Sequence, residues 1–471
     1  MSSKMEHGYT RKLRNGKIFS QLELPDVLFE ALVTPAVERE DRIWEEAGEE
    51  IEVEEVGGVR HPGDWMMPED ATTSASSSQV KLEDVPVHSN PKKRKKQSRI
   101  NAKRARQRHE RFDGYEERAL SNPRPHEEPI ATAVAPESFP TKADACSAKN
   151  VAYEGEFQDS TRIYTLEELQ QMGYRVVGWD GVTAVPILDR NGRVIAALAG
   201  RPNDQQYNDQ ALELHDDILE CRINFVGEDE TQPRGDFPAQ AVGVSYGTGQ
   251  PHPMRRRNNK YSGMVEGLLG TPGARRIASY QSASYSRWSP DNYARYSDAK
   301  EYIKTHPTTR GERWNFERSV FAATTINFGP QTRTFKHRDV QNAPFGWCAV
   351  TALGRFDSAL GGHLVLWDLG IVLQFPAGST ILLPSATVAH SNVPVGKHET
   401  RTSFTQYSAG ALFRWVESGG RDLEQLKKAD RRSYNENRHA QGQGVFVQQG
   451  ITRFSTLDSL IERGYVKGDE A

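Results

Sequence analysis

SVFAATTINF (319–328), TRTFKHRD (332–339), WCAVTALGRF (347–356), GHLVLWDL (362–369), IVLQF (371–375), STILLP (379–384), TVAHS (387–391) and TRTSFTQYS (400–408) are eight short runs rich in β-branched and aromatic residues. Gly, Pro, Asn or Asp turns separate them, the punctuation of strands rather than of helices. Eight strands at this spacing suit two antiparallel sheets packed as a jelly roll. The expected fold is mostly β with flanking helices, on a double-stranded β-helix (jelly roll, cupin-like) core.

A set of residues with metal-binding spacing lies inside that pattern. Along a strand, residues i and i+2 point to one face, so His337 and Asp339 can hold one ion between them. His390, at the end of the seventh run, supplies a second imidazole. Two His and one carboxylate leave positions open on Fe(II) for a co-substrate and O2. Arg401, on the eighth run, offers a planar fork for a carboxylate. A lone His-x-Asp is a weak signal. His215-Asp216-Asp217 has the same spelling in a run of helical period, where i and i+2 do not share a face, and it reads as structural. The ordered set of His-x-Asp, distal His and Arg on successive strand-like runs carries the assignment.

On the N-terminal side, residues 1 to 155 show no sustained apolar period. They contain SASSS, an acidic run at 38 to 55, and a basic run at 92 to 118 with twelve Lys or Arg against four acids. They are expected to be disordered. Pro91-Lys92-Lys93-Arg94-Lys95-Lys96 reads as a signal for a nuclear import receptor, hence a nuclear location; a solvated linker is the alternative. Residues 160 to 235 read as a small α+β lead-in module. Thr165 to Glu168 form a capping box, Asn191-Gly192 marks a hairpin turn between PILD and RVIAAL, and 207 to 220 has a helical period. The core domain is expected over 237 to 420. Its first part is a mixed region carrying Met254-Arg255-Arg256-Arg257 and Lys260, either a phosphate-gripping loop or a basic surface loop. Residues 421 to 471 form a polar C-terminal tail with a short helix at 454 to 464.

The 471 residues are 36% hydrophobic and 26% charged, with 39 Gly and 25 Pro, a balance that leaves part of the chain outside any core. No run of about 18 apolar residues is present, so no membrane partner is expected. MSSKMEHGYTRKLRNGK lacks the apolar segment of a secretory signal. Cys146, Cys221 and Cys348 are too few and too scattered for a disulfide framework or a zinc cluster, which points to a reducing compartment.

HRDVQN (337–342), GGHLVLWDL (361–369), VAHSNVPV (388–395) and RTSFTQYSAG (401–410) resemble the catalytic core of the TET/JBP family of Fe(II)/2-oxoglutarate-dependent nucleic-acid-base dioxygenases, in particular its fungal, mobile-element-associated members. The resemblance covers 237 to 420 and implies a dioxygenase domain there. It implies Fe(II) on His337, Asp339 and His390, 2-oxoglutarate on Arg401, Ser403 and His363, and O2 as the second co-substrate. It also implies that Asn342 reads a flipped base. Asn327 is placed as related base-repair dioxygenases place an Asn beside 2-oxoglutarate, or it is a strand-end Asn completing a turn. Tyr407 shares the Arg401–Ser403 face and lines the substrate pocket or packs the core. Three features depart from the animal enzymes: INFGPQTRTFK holds no cysteine, no Cys-rich zinc module is present, and Ala409 stands where they carry a substrate-side His. The implied partner is methylated duplex DNA with the target base flipped out, and the implied reaction is stepwise oxidation of the methyl of 5-methylcytosine. N6-methyladenine or an RNA base is the neighbouring alternative. A protein (prolyl-type) hydroxylase and an idle DNA-binding module are the readings from other classes.

Overall fold

A computed structural model describes residues 8–12, 18–24, 29, 162–225, 231–232, 234–256, 260–442 and 449–466. The acidic run, the import motif and the basic run lie outside the described residues, as do Arg257 and Cys146. In chain order the first elements are strands β1 (Gly8–Lys12) and β2 (Ile18–Glu23), helix α1 (Leu166–Gln171), β3 (Arg175–Val177), β4 (Val185–Leu188), β5 (Val194–Gly200) and α2 (Gln205–Cys221). Next come β6 (Thr231–Gln232), β7 (Gly235–Asp236), β8 (Ala239–Ser245), β9 (Met254–Arg255), α3 (Ser262–Gly270), α4 (Pro272–Trp288) and α5 (Pro290–Thr305). The core strands are β10 (Ala323–Asn327), β11 (Cys348–Arg355), β12 (Leu364–Leu366), β13 (Ile371–Leu373), β14 (Thr380–Leu383), β15 (His390–Asn392) and β16 (Thr400–Tyr407). Helices α6 (Gly410–Glu417), α7 (Leu423–Ala429), α8 (Arg431–Gly442) and α9 (Leu457–Glu462) follow.

Two sheets carry the architecture. The large one runs β1-β2-β4-β5-β14-β11-β16-β10-β8-β9 and the small one β15-β12-β13-β3. The core pairs β10-β16-β11-β14 and β15-β12-β13 are all antiparallel. From β10 to β16 the chain passes back and forth between these two sets, and that alternation is the double-stranded β-helix expected from the sequence.

The second expected strand is replaced by a crossing segment. Between residues 331 and 342 the backbone meets a new partner every few residues: Gln331 bridges Arg401, Phe335 N–H donates to Arg234, His337 bridges His390, Asp339 N–H donates to Ser385, and Asn342 bridges Ala409. A chain passing from one sheet to the other cannot keep one ladder partner, so no strand forms, yet the N–H groups of Thr332, Phe335, His337, Asp339 and Asn342 each find a backbone acceptor.

Other boundaries also shift. Strands β1 and β2 stand within the first 155 residues, where the sequence predicts none; β2 pairs in parallel with β4 and buries Leu22, and Leu24 and Phe29 are buried beyond it. The lead-in residues extend the core rather than standing beside it, since β5 pairs with β14 and β3 with β13. The mixed region contains α3, α4 and α5. Thr271 caps α4 with Pro272 at its first turn, but the buried face of α4 includes Gln281, Ser282 and Ser284, which blurs the apolar period. The polar tail is anchored as well, with Phe454, Leu457, Leu460 and Val466 in the main core. Local signals hold where chemistry is local: the Thr165–Glu168 capping box closes α1, and the turn before β5 puts Gly192 at φ 71°. Among the described residues no helix is long and apolar enough to cross a membrane.

Helices α2 and α4 cover the outer face of the large sheet through Leu214, Ile218, Ile277, Phe404 and their neighbours. His215 lies fully buried in that layer, its two ring nitrogens 2.9 Å from the hydroxyls of Thr402 and Thr400. The decoy His-x-Asp is therefore a packing element. Burial pushes the His215 imidazole down to about 4 from an ordinary 6.5. The unfolded chain then takes up a proton that the native state refuses, so native stability falls as pH drops from about 6.5 to about 4 and this contribution is flat below. His215→Gln should flatten that fall by roughly 2–3 kcal/mol in urea melts run across the window; parallel pH profiles for the two proteins would refute it.

Candidate metal centre

His337 and His390 exchange both backbone hydrogen bonds, N–H to carbonyl at 3.0 and 2.9 Å. A directly opposed pair puts both side chains on one face, and the two rings lie with centroids 4.3 Å apart. Each ring is oriented by a backbone carbonyl. His337 Nδ1 donates to Phe335 at 2.7 Å and His390 Nδ1 to Val388 at 3.0 Å. A carbonyl only accepts, so both Nδ1 atoms carry the hydrogen and both Nε2 lone pairs remain for a metal. Asp339 completes the set: its carboxylate oxygens lie 3.8 Å from His337 Nε2 and 4.0 Å from His390 Nε2, and the three donor atoms fall within 4.8 Å of one another.

The protonation states suit a cation. Burial first, then the neighbouring His390, pushes His337 down to about 3; burial lowers His390 as well. Burial alone would raise the Asp339 carboxyl, but Arg234, the two imidazoles and the Ser385 hydroxyl outweigh it and hold it at about 2. Two neutral imidazoles and one carboxylate, all buried or nearly so, form the donor set of a 2-His-1-carboxylate iron(II) site. Asp339 Oδ1 is buried and accepts no hydrogen bond, its nearest guanidinium being that of Arg234 at 2.9 Å, so it stays available as a ligand atom. The residues fit iron(II).

Sequence reasoning missed the groups that hold these ligands. Arg338, between His337 and Asp339, turns away from the site: its Nη2 reaches both oxygens of Asp368 at 2.8 and 3.0 Å, and its Nε donates to the Thr387 carbonyl at 3.0 Å. Asp368 in turn accepts from Ala389 N–H at 2.6 Å, which fixes the approach to His390. Ser385 accepts Asp339 N–H at 2.8 Å through its carbonyl and holds the Asn342 amide at 3.0 Å through its hydroxyl. Cys348, on β11, is buried beside this carboxylate, and burial raises its thiol to about 12. Arg234 Nη2 comes within 2.9 Å of Asp339 Oδ1. None of these has a motif, because each acts through the folded neighbourhood.

The remaining candidates separate into two groups. In the register of β16 with β10, Asn327 opposes Ser403, Thr325 opposes Thr405 and Ala323 opposes Tyr407, so Arg401, Ser403, Thr405, Tyr407 and Asn327 share the inner face. Asn327 Nδ2 donates to Ser403 Oγ at 2.7 Å, and the Tyr407 hydroxyl lies 3.2 Å from Thr325. Arg401 is buried, gives one hydrogen bond to the Thr332 carbonyl at 2.8 Å, and leaves its Nε unpartnered. Burial alone lowers its guanidinium to about 10; among the described residues no carboxylate answers it. Asn342 lies beside the ligands with its amide donor engaged by Ser385, and 3.5 Å from Asp339. His363 departs from expectation. Val393 N–H donates to the His363 carbonyl at 3.0 Å, continuing the β12–β15 register, so His363 sides with Val365 and Val393, away from His390. It is buried with Nδ1 unpartnered, and burial lowers it to about 4. The Gly-Gly before it serves the backbone: a Cβ on Gly361 would collide with the Pro394 carbonyl, and Gly362 has φ 72°. Of the basic loop, Arg255 is tied to Glu266 and Asn315 within the fold.

No protein-family model and no curated protein matches the chain. Among solved structures it is similar to NgTET1 in complex with 5mC DNA, at 13% identity over 50% of this chain and 82% of that one, TM-score 0.35. It is also similar to OsALKBH1, at 11% identity over 42% and 94% of the two chains, TM-score 0.23. An oxidoreductase of the 2OG-Fe(II) oxygenase family from Burkholderia pseudomallei aligns at 16% identity over 55% and 93%, TM-score 0.23. At these scores the assignment of the site rests on strand order and donor geometry.

Replacing Asp339 or His337 with Ala should abolish binding of one equivalent of Mn(II), followed by electron paramagnetic resonance, while circular dichroism and the melting curve stay native-like. Retention of stoichiometric Mn(II) by Asp339→Ala would remove it from the donor set.

Proposed function

We propose that the chain is an Fe(II)- and 2-oxoglutarate-dependent dioxygenase that oxidises the methyl group of 5-methylcytosine in DNA. The observation that carries this reading is Arg401: a buried guanidinium without an acid, on the inner face that also bears Ser403 and Asn327, in a barrel whose ligand triad opens to the same interior. Leaving a buried cation unpaired is costly. A dicarboxylate whose far end meets Arg401 in two hydrogen bonds while its near end reaches the metal relieves that cost. Iron(II), when bound, would supply the oxidising chemistry at a C–H bond, with 2-oxoglutarate and O2 consumed and succinate and carbon dioxide released.

The chain's own residues set the rest. His337, Asp339 and His390 hold the ion, Arg401 binds the distal carboxylate, and Ser403 with Asn327 orients it. Ala239, Ala241, Thr405 and Tyr407 are half-exposed on the inner sheet face, leaving room for a flat group. A base in a duplex cannot reach such a site without leaving the stack. Asn342 keeps its carbonyl oxygen for a base edge while its donor holds Ser385. A nuclear location, through the Pro91–Lys96 import motif and its receptor, belongs to the same proposal.

Incubation with Fe(II), 2-oxoglutarate and a methylated duplex, followed by nucleoside mass spectrometry, should yield 5-hydroxymethylcytosine. Oxidation of an N6-methyladenine duplex alone would move the substrate, and succinate release only with a peptide would turn the reading to a protein hydroxylase. Arg401→Ala should raise the 2-oxoglutarate requirement by orders of magnitude, the ~3–5 kcal/mol of a broken buried charge pair, with Mn(II) still bound. Arg401→Lys should recover only part of it. Superimposable 2-oxoglutarate titrations for wild type and Arg401→Ala would defeat the assignment.

A further inference from the structure

We propose that Arg234 is the grip for an anion of the substrate, a phosphodiester flanking the reacting base, and that metal loading frees it from Asp339 for that task. The inference rests on the dioxygenase reading of the same site and adds to it a residue that the motif does not contain. Arg234 lies just before β7, and its backbone is pinned: Phe335 N–H donates to its carbonyl at 2.8 Å, and a Cβ on Gly235 would collide with the Arg333 carbonyl and the Phe237 ring. The guanidinium is half-exposed and reaches into the mouth of the site. Among the described residues Asp339 is its only acidic partner, and the 2.9 Å contact lacks hydrogen-bond geometry at Asp339 Oδ1. The pair is a resting contact that either partner can leave.

Counting charge shows why it would be left. In the metal-free site the Arg234 guanidinium faces the Asp339 carboxylate at 2.9 Å. A dication takes over Asp339. The dicarboxylate then neutralises what remains of the metal's charge together with Arg401, so the loaded site is balanced without Arg234. One positive charge is left over at the mouth, held within reach of the reacting group. An arginine fork matches phosphate oxygens in two hydrogen bonds, and a flipped nucleotide carries its phosphates a fixed short distance from the base. The arrangement couples the two loads: nucleic acid is gripped at this point only when metal and co-substrate are in place.

The test reads binding without turnover. Full-length wild type, Arg234→Gln and Arg234→Lys are titrated by fluorescence anisotropy against a labelled duplex with one 5-methylcytosine, first metal-free and then with Mn(II) and 2-oxoglutarate under anaerobic conditions. Loading should tighten wild-type binding about tenfold (~1.4 kcal/mol), Arg234→Lys should keep part of the gain and Arg234→Gln none. Methylphosphonates at the two phosphates flanking the 5-methylcytosine should erase the wild-type gain. Mn(II) affinity, titrated separately by electron paramagnetic resonance, should be unchanged or higher in Arg234→Gln. A gain that survives in Arg234→Gln or on the methylphosphonate duplex overturns the grip while leaving the dioxygenase reading intact; weaker Mn(II) binding in Arg234→Gln makes the residue a prop for Asp339 and also overturns it. If no nucleic acid binds in any state, but an acidic peptide gains affinity on loading through Arg234, the grip stands and the nucleic-acid reading falls.

Discussion

The reciprocal backbone pair between His337 and His390 is the interaction on which the site depends. Two hydrogen bonds join a crossing segment to a three-residue strand, and they hold the imidazoles side by side before any ion arrives. Everything around the pair serves to keep those short elements in place. Arg338 and Asp368 tie the segment before His390 to the segment after His337, and Ser385 does the same for Asp339. Because the ligands sit on irregular backbone, their geometry comes from this web of single contacts rather than from a long ladder. Each contact then matters more than a ladder bond would, since no neighbouring rung shares its load.

Burial selects the charge states that the chemistry needs. The same low-dielectric interior that makes the two imidazoles neutral, and so available as ligands, leaves Arg401 charged and unanswered. A core that only had to be stable would replace Arg401 with an apolar residue of similar size. The large sheet instead makes room for it. Gly354 lies opposite Arg401 on β11 with φ 146°, where a Cβ would collide with the Thr400 carbonyl, and Ala352 lies opposite Ser403. Small residues along that row let the Arg401 guanidinium lie buried against the inner face of the sheet.

Much of this was legible in the sequence because it is periodic or local. Seven of the eight runs are strands, the Asn191-Gly192 turn and the Thr165 cap form as their chemistry dictates, and His337, Asp339 and His390 meet. The failures share one physical cause: they depend on partners far apart in the chain. TRTFKHRD has the composition of a strand, but its backbone partners, Arg401, Arg234, Asn392, His390 and Ser385, are spread over β16, β15 and two connecting segments. Leu22 and Leu24 have too little flanking pattern to mark strand β2 or its end, and become core residues only because β4 presents an edge. His363 follows a conspicuous Gly-Gly, yet a register set by Val393 decides which way it faces.

Strand parity explains why the two histidine assignments diverge. His390 and Leu366 are opposed, as are Asn392 and Leu364, so the inner face of the small sheet is read every second residue from His390. His363 falls on the odd count. A one-residue change of register would exchange the faces and carry His390 out of the site together with its neighbours. The register is therefore under the same constraint as the ligands, and the outer face has been given its own reason to stay outside: Trp367 donates its indole N–H to Ser391 at 3.0 Å and packs edge-on against Tyr164 and Tyr174. That aromatic layer, with α1 lying on it, resists the slip. The lead-in residues thus act on the metal centre without touching it, by making one face of the small sheet apolar enough that only one register buries it.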